Sequence, residues 1–113
     1  MKELQFFITE QEVERYAELS GDHNPIHLDE NYAKKYGFSG KVVHGMLTTA
    51  KVWSVLSNGL LTSTNFPKEY ELAFLSPVYV GELVTLHIER LTNGFKVEGM
   101  CEGKMVFKGY IVV

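Results

Sequence analysis

The chain has 113 residues, of which 45% are hydrophobic and 22% are charged, and its formal net charge is −3. This length predicts one compact domain over residues 1–113, and so small a domain favours self-association. Lys34-Lys35 is the only adjacent basic pair, which argues against nucleic-acid binding, and every apolar run is shorter than the roughly 20 residues that a membrane helix needs.

The single cysteine, Cys101, excludes an internal disulfide and is typical of a reducing compartment. The N-terminal stretch MKELQFFITEQEV lacks the apolar core and cleavage site of a signal peptide. We therefore expect a cytoplasmic protein. Cys101 itself is expected to be a passive core or interface residue, because the sequence shows no neighbouring base that would activate a nucleophile.

The chain opens with a predicted strand and a capped helix. LQFFI, residues 4–8, is rich in the apolar and aromatic residues that strands favour. Thr9 and Glu12 then have the spacing of a capping box, in which each side chain satisfies the other residue's free backbone N–H. The apolar periodicity that follows predicts a helix over residues 10–20, and Gly21 ends it.

Two further helices are predicted before residue 60. Asp29 is the expected N-cap of a short helix over residues 30–36. The next helix, MLTTAKVWSVLSNG (residues 46–59), is apolar or small nearly all the way round, which predicts a helix surrounded by protein and ended by Asn58-Gly59. Its one charge, Lys51, is expected to reach solvent along its aliphatic stem; the alternative is an acidic partner at a subunit interface.

The second half of the chain alternates in the manner of strands. Asn93-Gly94 predicts a tight hairpin, and His87 is expected on the solvent face of its strand. With residues 4–8 the strands number about five, the others lying within residues 68–80, 82–91, 95–103 and 104–113. Helices followed by strands predict an α+β fold, with an antiparallel sheet curled round the apolar helix.

The loop GDHNPIH contains a histidine pair with the spacing of a metal site. Pro25 lacks a backbone N–H and pushes Asn24 away from helical torsions, so residues 22–27 are not expected to form a helical turn. A metal pair at this spacing needs a continuous helix to bring both rings to one face. We therefore do not expect His23 and His27 to bind a metal.

The same loop contains an acid and an imidazole. A stiff Asn-Pro turn can hold Asp22 and His27 at a fixed separation, facing one water molecule, and water activation requires such a pair. The alternative is an ordinary loop, in which Asp22 and Asn24 serve as turn formers and His27 only fills space. On composition alone the ordinary loop is the commoner case.

Gly45, in the segment VVHGML, lies at the first turn of the long helix. Amides there lack intrahelical acceptors and carry partial positive charge, and a glycine lets a ligand approach the backbone. Such a site suits a carbonyl oxygen that gains negative charge, a stabilisation worth about 3 kcal/mol per donor. The alternative is that Gly45 relieves crowding at the helix start while His44 caps the helix or packs.

The segment LSGDHNPIHLDENYA resembles the signature of the MaoC-like dehydratases, which include the (R)-specific enoyl-CoA hydratases. GFSGKVVHGML and FLSPVYVGELV resemble two further blocks of that family, so the similarity covers nearly the whole chain. In the first motif His23 occupies a variable position, and the matching residues are Ser20, Gly21, Asp22, Asn24, Pro25, Ile26, His27 and Ala33.

This resemblance implies the hot-dog fold, a curved antiparallel sheet wrapped round a long helix and usually paired into a dimer. It also implies reversible hydration of trans-2-enoyl thioesters to (R)-3-hydroxyacyl thioesters. The substrate would be carried on coenzyme A or acyl carrier protein, with no other cofactor. Trp53, Phe74 and Tyr79 are candidates for lining an acyl tunnel, although such aromatics more often belong to the core.

The resemblance also implies roles for individual residues. His27 would act as general base on water, and Asp22 would hold that water or protonate the α-carbon. These two roles are exchangeable, because a coupled pair shares its protons. The N–H of Gly45 would bind the thioester oxygen, and Asn24 would shape the loop and orient the water or His27.

One departure and two alternatives accompany this interpretation. Many hydratases of this type carry a Gly-Gln pair near the start of the strand after the central helix, and NFPKEYELAF lacks it, which leaves acyl length and carrier open. A hot-dog thioesterase usually places a carboxylate on or near the central helix, and residues 46–59 contain no Asp or Glu. A non-catalytic acyl-thioester-binding module would not need both Asp22 and His27.

Overall fold

A computed structural model describes residues 2–62 and 64–113 as five strands and four helices. The strands form one antiparallel sheet in the order β1-β3-β4-β5-β2. The elements are β1 Lys2–Phe6, α1 Glu10–Ser20, α2 Pro25–Leu28, α3 Glu30–Lys35, α4 Gly45–Leu56, β2 Glu69–Phe74, β3 Val84–Leu91, β4 Gly94–Cys101 and β5 Lys104–Val112. The predicted α+β class and the five strands are confirmed. No helix of the described ranges is long and apolar enough to cross a bilayer.

The core lies between α4 and one face of the sheet. Val52 and Leu56 of α4 belong to the same buried cluster as alternate residues of β3 and β4. In β3 this alternation buries Val84, Leu86 and Ile88, because successive side chains point to opposite faces. His87 lies on the other face, as predicted, where its Nδ1 is 3.3 Å from a carboxylate oxygen of its cross-strand neighbour Glu3.

Helix α1 has the predicted capping box and also an unpredicted ion pair. The Glu12 N–H donates to the Thr9 hydroxyl at 3.1 Å, and the Thr9 N–H donates to the Glu12 carboxylate at 3.0 Å. Lys51 of α4 donates to the other Glu12 oxygen at 2.9 Å. Lys51 was expected to reach solvent along its stem, or else to meet an acid at a subunit interface; the side chain is 27% exposed, and its partner is an acid of its own chain.

Helix α4 is less enclosed than the sequence predicts. The sheet covers only one side of it, burying Thr48, Thr49, Val52 and Leu56, whereas Met46, Ala50 and Ser54 are exposed. The small, weakly polar residues of the outer face made the helix look apolar all round. It also ends at Leu56, ahead of the predicted stop, and Gly59 takes its positive φ of 122° outside the helix.

Helix α2 contradicts the expectation that residues 22–27 contain no helical turn. Pro25 opens the helix, since its fixed φ suits the first helical position and its missing N–H would have had no partner there. The restriction before proline acts on Asn24, which lies outside the helix and caps it by accepting from the Ile26 N–H at 3.2 Å. The proline ring and the Asn24 cap together fix the start of α2, and this start determines the position of His27.

The predicted hairpin between β3 and β4 is confirmed, but its glycine has another reason. Gly94 pairs with Leu91, so the turn consists of Thr92 and Asn93. A Cβ at Gly94 would lie 1.8 Å from the carbonyl oxygen of Ile111 on β5, and only glycine fits there. The close approach of two strands, rather than a positive φ, therefore requires Gly94.

Candidate active site

The loop between α1 and α2 holds the Asp22 carboxylate by a local hydrogen bond. Asp22 Oδ1 accepts from the Asn24 N–H at 3.1 Å, and the Asp22 N–H donates to the Ser20 hydroxyl at 3.1 Å. The other carboxylate oxygen, Oδ2, lies 3.7 Å from Nε2 of His27. This separation is too long for a direct hydrogen bond, and it leaves both atoms available to a shared small molecule.

His27 is held in one orientation by the backbone. Its ring is buried, and Nδ1 lies 2.6 Å from the carbonyl oxygen of Val42. Because a carbonyl oxygen only accepts, Nδ1 carries the proton in this contact and Nε2 has a free lone pair. The Val42 N–H in turn donates to the Ile26 carbonyl at 2.9 Å, which fixes that acceptor relative to α2. His27 therefore presents a basic nitrogen on the side of Asp22.

Gly45 is the first residue of α4 and lines the same cavity as Asp22 and His27. The amides of a first helical turn have no intrahelical acceptor, and the helix dipole adds partial positive charge. A Cβ at Gly45 would come only to 3.7 Å from Cε2 of Phe74, an ordinary contact. Crowding within the chain therefore does not require this glycine, which favours close approach of a ligand.

These groups border a cavity of about 400 Å³. Its apolar lining comes mainly from β2 and from Met46 of α4, and its polar groups come mainly from the loop before α2, from α2 and from the start of α4. The lining residues are Tyr16, Asp22, His27, His44, Gly45, Met46, Thr49, Tyr70, Leu72 and Phe74. Three of the four predicted site residues thus share one cavity, while Asn24 caps α2 and is not in its lining.

The three aromatics considered as tunnel candidates, and more often expected in the core, lie in different places. Phe74 lines the cavity, as expected of a tunnel residue. Trp53 is not in this lining, and its ring contacts that of Tyr70 edge-on, with centroids 5.1 Å apart and an interplanar angle of 89°. Tyr79 lies elsewhere, where its hydroxyl accepts from the Ser39 N–H at 3.2 Å. Of these three aromatics, only Phe74 therefore lines the cavity that contains Asp22 and His27.

His44 is a site residue whose role the sequence did not indicate. It precedes Gly45 but makes no side-chain cap hydrogen bond, and only 3% of it is exposed. Its ring stacks on that of His27 at 3.7 Å and 25°, and its Nε2 lies 3.1 Å from the backbone carbonyl oxygen of Asp22. The adjacent His-Gly pair was the one available signal, and it suggested no more than capping or packing.

Asp22, His27 and His44 bring a carboxylate and two imidazoles together, with one potential ligand atom from each within 4.8 Å of the others. The fold therefore groups a different set from the His23/His27 pair considered above. A metal binds in the plane of an imidazole, about 2 Å from its nitrogen. Two rings stacked 3.7 Å apart with a tilt of only 25° cannot both meet that condition at one ion. The arrangement suits proton transfer better than metal binding.

Comparison with known proteins shows which family the chain belongs to. The family described as "MaoC like domain" matches residues 2–110. The chain belongs to this family. An (R)-specific enoyl-CoA hydratase from Rhodospirillum rubrum is 30% identical over 113 residues, an alignment that covers 94% of this chain and 78% of the relative.

The fold is the hot-dog fold of this MaoC-like family, as a similar solved structure shows. That structure is the (R)-hydratase from A. caviae involved in PHA biosynthesis, which matches with a TM-score of 0.83 and 28% identity over 98% of this chain and 90% of its own. A 3-hydroxybutyryl-CoA dehydratase from Methylorubrum extorquens is 33% identical over 73% of this chain. The chain spans 52% of that dehydratase, and 48% and 30% of the next two curated relatives.

Proposed function

We propose that this MaoC-like protein is an (R)-specific enoyl-CoA hydratase, a hydro-lyase that adds water reversibly to trans-2-enoyl thioesters. The main support is the arrangement of Asp22 and His27, whose Oδ2 and Nε2 lie 3.7 Å apart at the edge of a cavity that also contains Gly45. A base, an acid and a helix N-terminus beside one apolar wall suit a polarised acyl thioester. The relatives named as hydratases and dehydratases add to this support.

In the proposed mechanism the thioester oxygen accepts a hydrogen bond from the Gly45 N–H, which draws electrons from the C2–C3 double bond. A water molecule lies between Asp22 Oδ2 and His27 Nε2. His27 takes a proton from this water as its oxygen bonds to C3, and C2 takes up a proton from the pair. One water is added in total, and both side chains return to their starting states.

The tautomer of His27 favours one of the two assignments that the sequence left open. With Nδ1 donating to Val42, Nε2 is the acceptor and faces the water position, so His27 is the base and Asp22 holds the water. The proton that reaches C2 belongs to the coupled pair. In the reverse direction the same groups remove water from a 3-hydroxyacyl thioester.

The test follows the conjugated absorbance of crotonyl thioesters, on coenzyme A and on acyl carrier protein separately. Wild type is expected to remove the absorbance and form the (R)-3-hydroxy product, while Asp22→Asn and His27→Ala lose at least about 100-fold in rate. His23→Ala is the matched control, since His23 is an exposed histidine of the same loop. Wild type no faster than His27→Ala on both carriers would rule out the proposal. Release of free thiol would instead indicate a thioesterase.

We further propose that the chain forms a homodimer through β2. This strand is one edge of the sheet, and an unpaired edge is a template for a second strand. Exposed apolar side chains gather beside it on β2, on the following loop and on α4, namely Met46, Tyr70, Phe74 and Leu75. Such a patch beside an open edge is typical of a subunit interface.

The expected cytoplasmic location also stays a proposal. Its support is Cys101, the chain's one cysteine, which is a free and buried thiol. Fractionation of the native cells, with immunodetection of the protein in each fraction, would test it.

A further inference from the structure

We infer that His44 is a positioning residue, which holds the Asp22 loop and the His27 ring at their working separation. The inference rests on the proposed hydratase function for its kinetic consequence, but not for the contacts themselves. It assigns a role to a residue of the cavity lining that the proposed mechanism does not use.

A single ring makes both contacts. One face of the His44 imidazole lies against the ring of His27 at 3.7 Å, and its Nε2–H donates to the backbone carbonyl of Asp22 at 3.1 Å. Because both contacts belong to one planar side chain, a shift of the Asp22 loop relative to His27 must break one of them. The 3.7 Å separation of the catalytic atoms is therefore held by a third residue.

His44 is itself fixed from two further sides. The ring of Tyr16 on α1 lies 4.8 Å from it, and its backbone carbonyl accepts from the Thr48 N–H at 3.0 Å as the first turn of α4 forms. Since Gly45 follows directly in the chain, the same residue ties the proposed oxyanion donor to the catalytic pair. α1, α2 and α4 therefore meet at this one side chain.

The buried nitrogen of His44 shows that packing alone does not account for the residue. With Nε2 donating, Nδ1 is left with a lone pair, buried and without a hydrogen-bond partner among the described residues. An unpartnered buried polar atom costs about 1–3 kcal/mol. A phenylalanine or leucine would fill the same space without this cost, which points to the Nε2 donor as the reason for an imidazole here.

Two substitutions separate the two contacts. His44→Phe keeps an aromatic ring against His27 and removes the donor to Asp22, whereas His44→Gln keeps an N–H donor and removes the ring. Each is expected to lower kcat about tenfold or more with little change in KM, because catalysis depends steeply on the alignment of reacting groups. His23→Phe and His23→Gln are the matched controls, made at an exposed histidine of the same loop.

A double-variant cycle tests whether His44 acts through Asp22. In the Asp22→Asn background, His44→Phe is expected to lower kcat by less than about twofold, because the group that it positions is already disabled. A merely structural role would give losses that multiply and follow the melting temperature. Multiplying losses, or wild-type kcat in folded single variants, would overturn the inference.

NMR tests the positioning role of His44 independently of the proposed reaction. In His44→Gln the ring-proton resonances of His27 are expected to lose the ring-current shift of the stacked imidazole, while those of Asp22 stay in place. In His44→Phe the reverse is expected. If wild type hydrates neither thioester and these two signatures are still found, the hydratase proposal fails and the positioning role stands. If both residues keep their wild-type resonances in both variants, the positioning role fails.

Discussion

The two members of the proposed catalytic pair differ sharply in exposure. The His27 side chain is 9% exposed, whereas 51% of the Asp22 side chain is accessible to solvent. The Val42 carbonyl compensates the burial of His27 by accepting from Nδ1. Nε2 is therefore the one ring nitrogen that is free to accept a proton. Asp22 is held through Oδ1 alone, which leaves Oδ2 open to water. Reactivity at this site therefore depends on the contacts that hold each side chain.

Gly45 offers a test of ligand approach that leaves the fold intact. A methyl group at this position would meet Phe74 only at an ordinary 3.7 Å, so Gly45→Ala is expected to fold with unchanged or slightly higher stability. The methyl enters the cavity where the thioester oxygen is proposed to lie, so kcat/KM for crotonyl-CoA should fall about tenfold or more. Thermal unfolding and steady-state rates measure the two effects. A fully active Gly45→Ala enzyme would contradict the proposed position of the oxyanion donor.

Asn24 can be tested for its cap independently of any contact with water. Removal of an N-cap side chain costs about 1 kcal/mol, so Asn24→Ala should lower the free energy of unfolding by that amount and lower kcat as α2 loosens. Asn24→Asp keeps an oxygen that can accept from the Ile26 N–H and is expected to restore the stability. If it restores kcat as well, Asn24 only shapes the loop. Persistent loss of kcat would assign Asn24 the water-orienting role.

The Cys101 thiol is expected to react slowly with thiol reagents in the folded protein. Burial, with a smaller contribution from the Glu82 carboxylate, raises the pKa of the Cys101 thiol to about 12. Because the thiolate is the reacting form, a disulfide reagent at pH 8 should label the native protein slowly, and far faster after unfolding in denaturant. Rapid stoichiometric labelling of the native protein would show that the thiol is not buried.

At the scale of elements, the Glu12 carboxylate, which caps α1 and pairs with Lys51 of α4, makes stability depend on pH. The Thr9 N–H, and after it the Lys51 ammonium, lower the pKa of Glu12 below its ordinary value of 4.5. A carboxyl whose pKa is lower in the folded state stabilises the fold fully above its unfolded value, and this stabilisation is lost as pH falls through the folded value. Urea titrations between pH 7 and pH 3 should show the loss, and Glu12→Gln should flatten that part of the profile.

The elements also show which parts of the fold were predictable. The capping box at Thr9 is a local contact, so the sequence contains all of it. The exposure of Met46 and Ser54 on α4 is not local, because it depends on a sheet that covers one side of the helix only. Pro25 is a third case, because the conformational restriction that it imposes concerns Asn24, outside the helix, and not the residues that follow.

At the scale of the whole molecule, part of the candidate site was likewise predictable from the sequence and part was not. Asp22 and His27 lie five positions apart in one loop and helix, and Gly45 follows a recognisable helix start, so the sequence could indicate all three. The apolar wall comes from Tyr70, Leu72 and Phe74 on β2, an edge strand distant in sequence. The sequence showed that His44 precedes Gly45, but it could not show the proposed positioning role, because that role consists of contacts with two other parts of the chain.

The open edge of β2 leads to the prediction about assembly. A stable interface buries about 800 Å² per partner, and pairing of two β2 edges would cover the apolar side chains beside them. Wild type at micromolar concentration should therefore sediment at twice the chain's 12.8 kDa. Leu75→Glu places a charge in this patch and should give a monomer, whereas Leu19→Glu, at an equally apolar and more exposed position on α1, should leave the dimer intact.

Since β2 also forms a cavity wall, the monomer should be less active than the dimer. A wild-type monomer, or equal sensitivity to both substitutions, would place the interface elsewhere or exclude it.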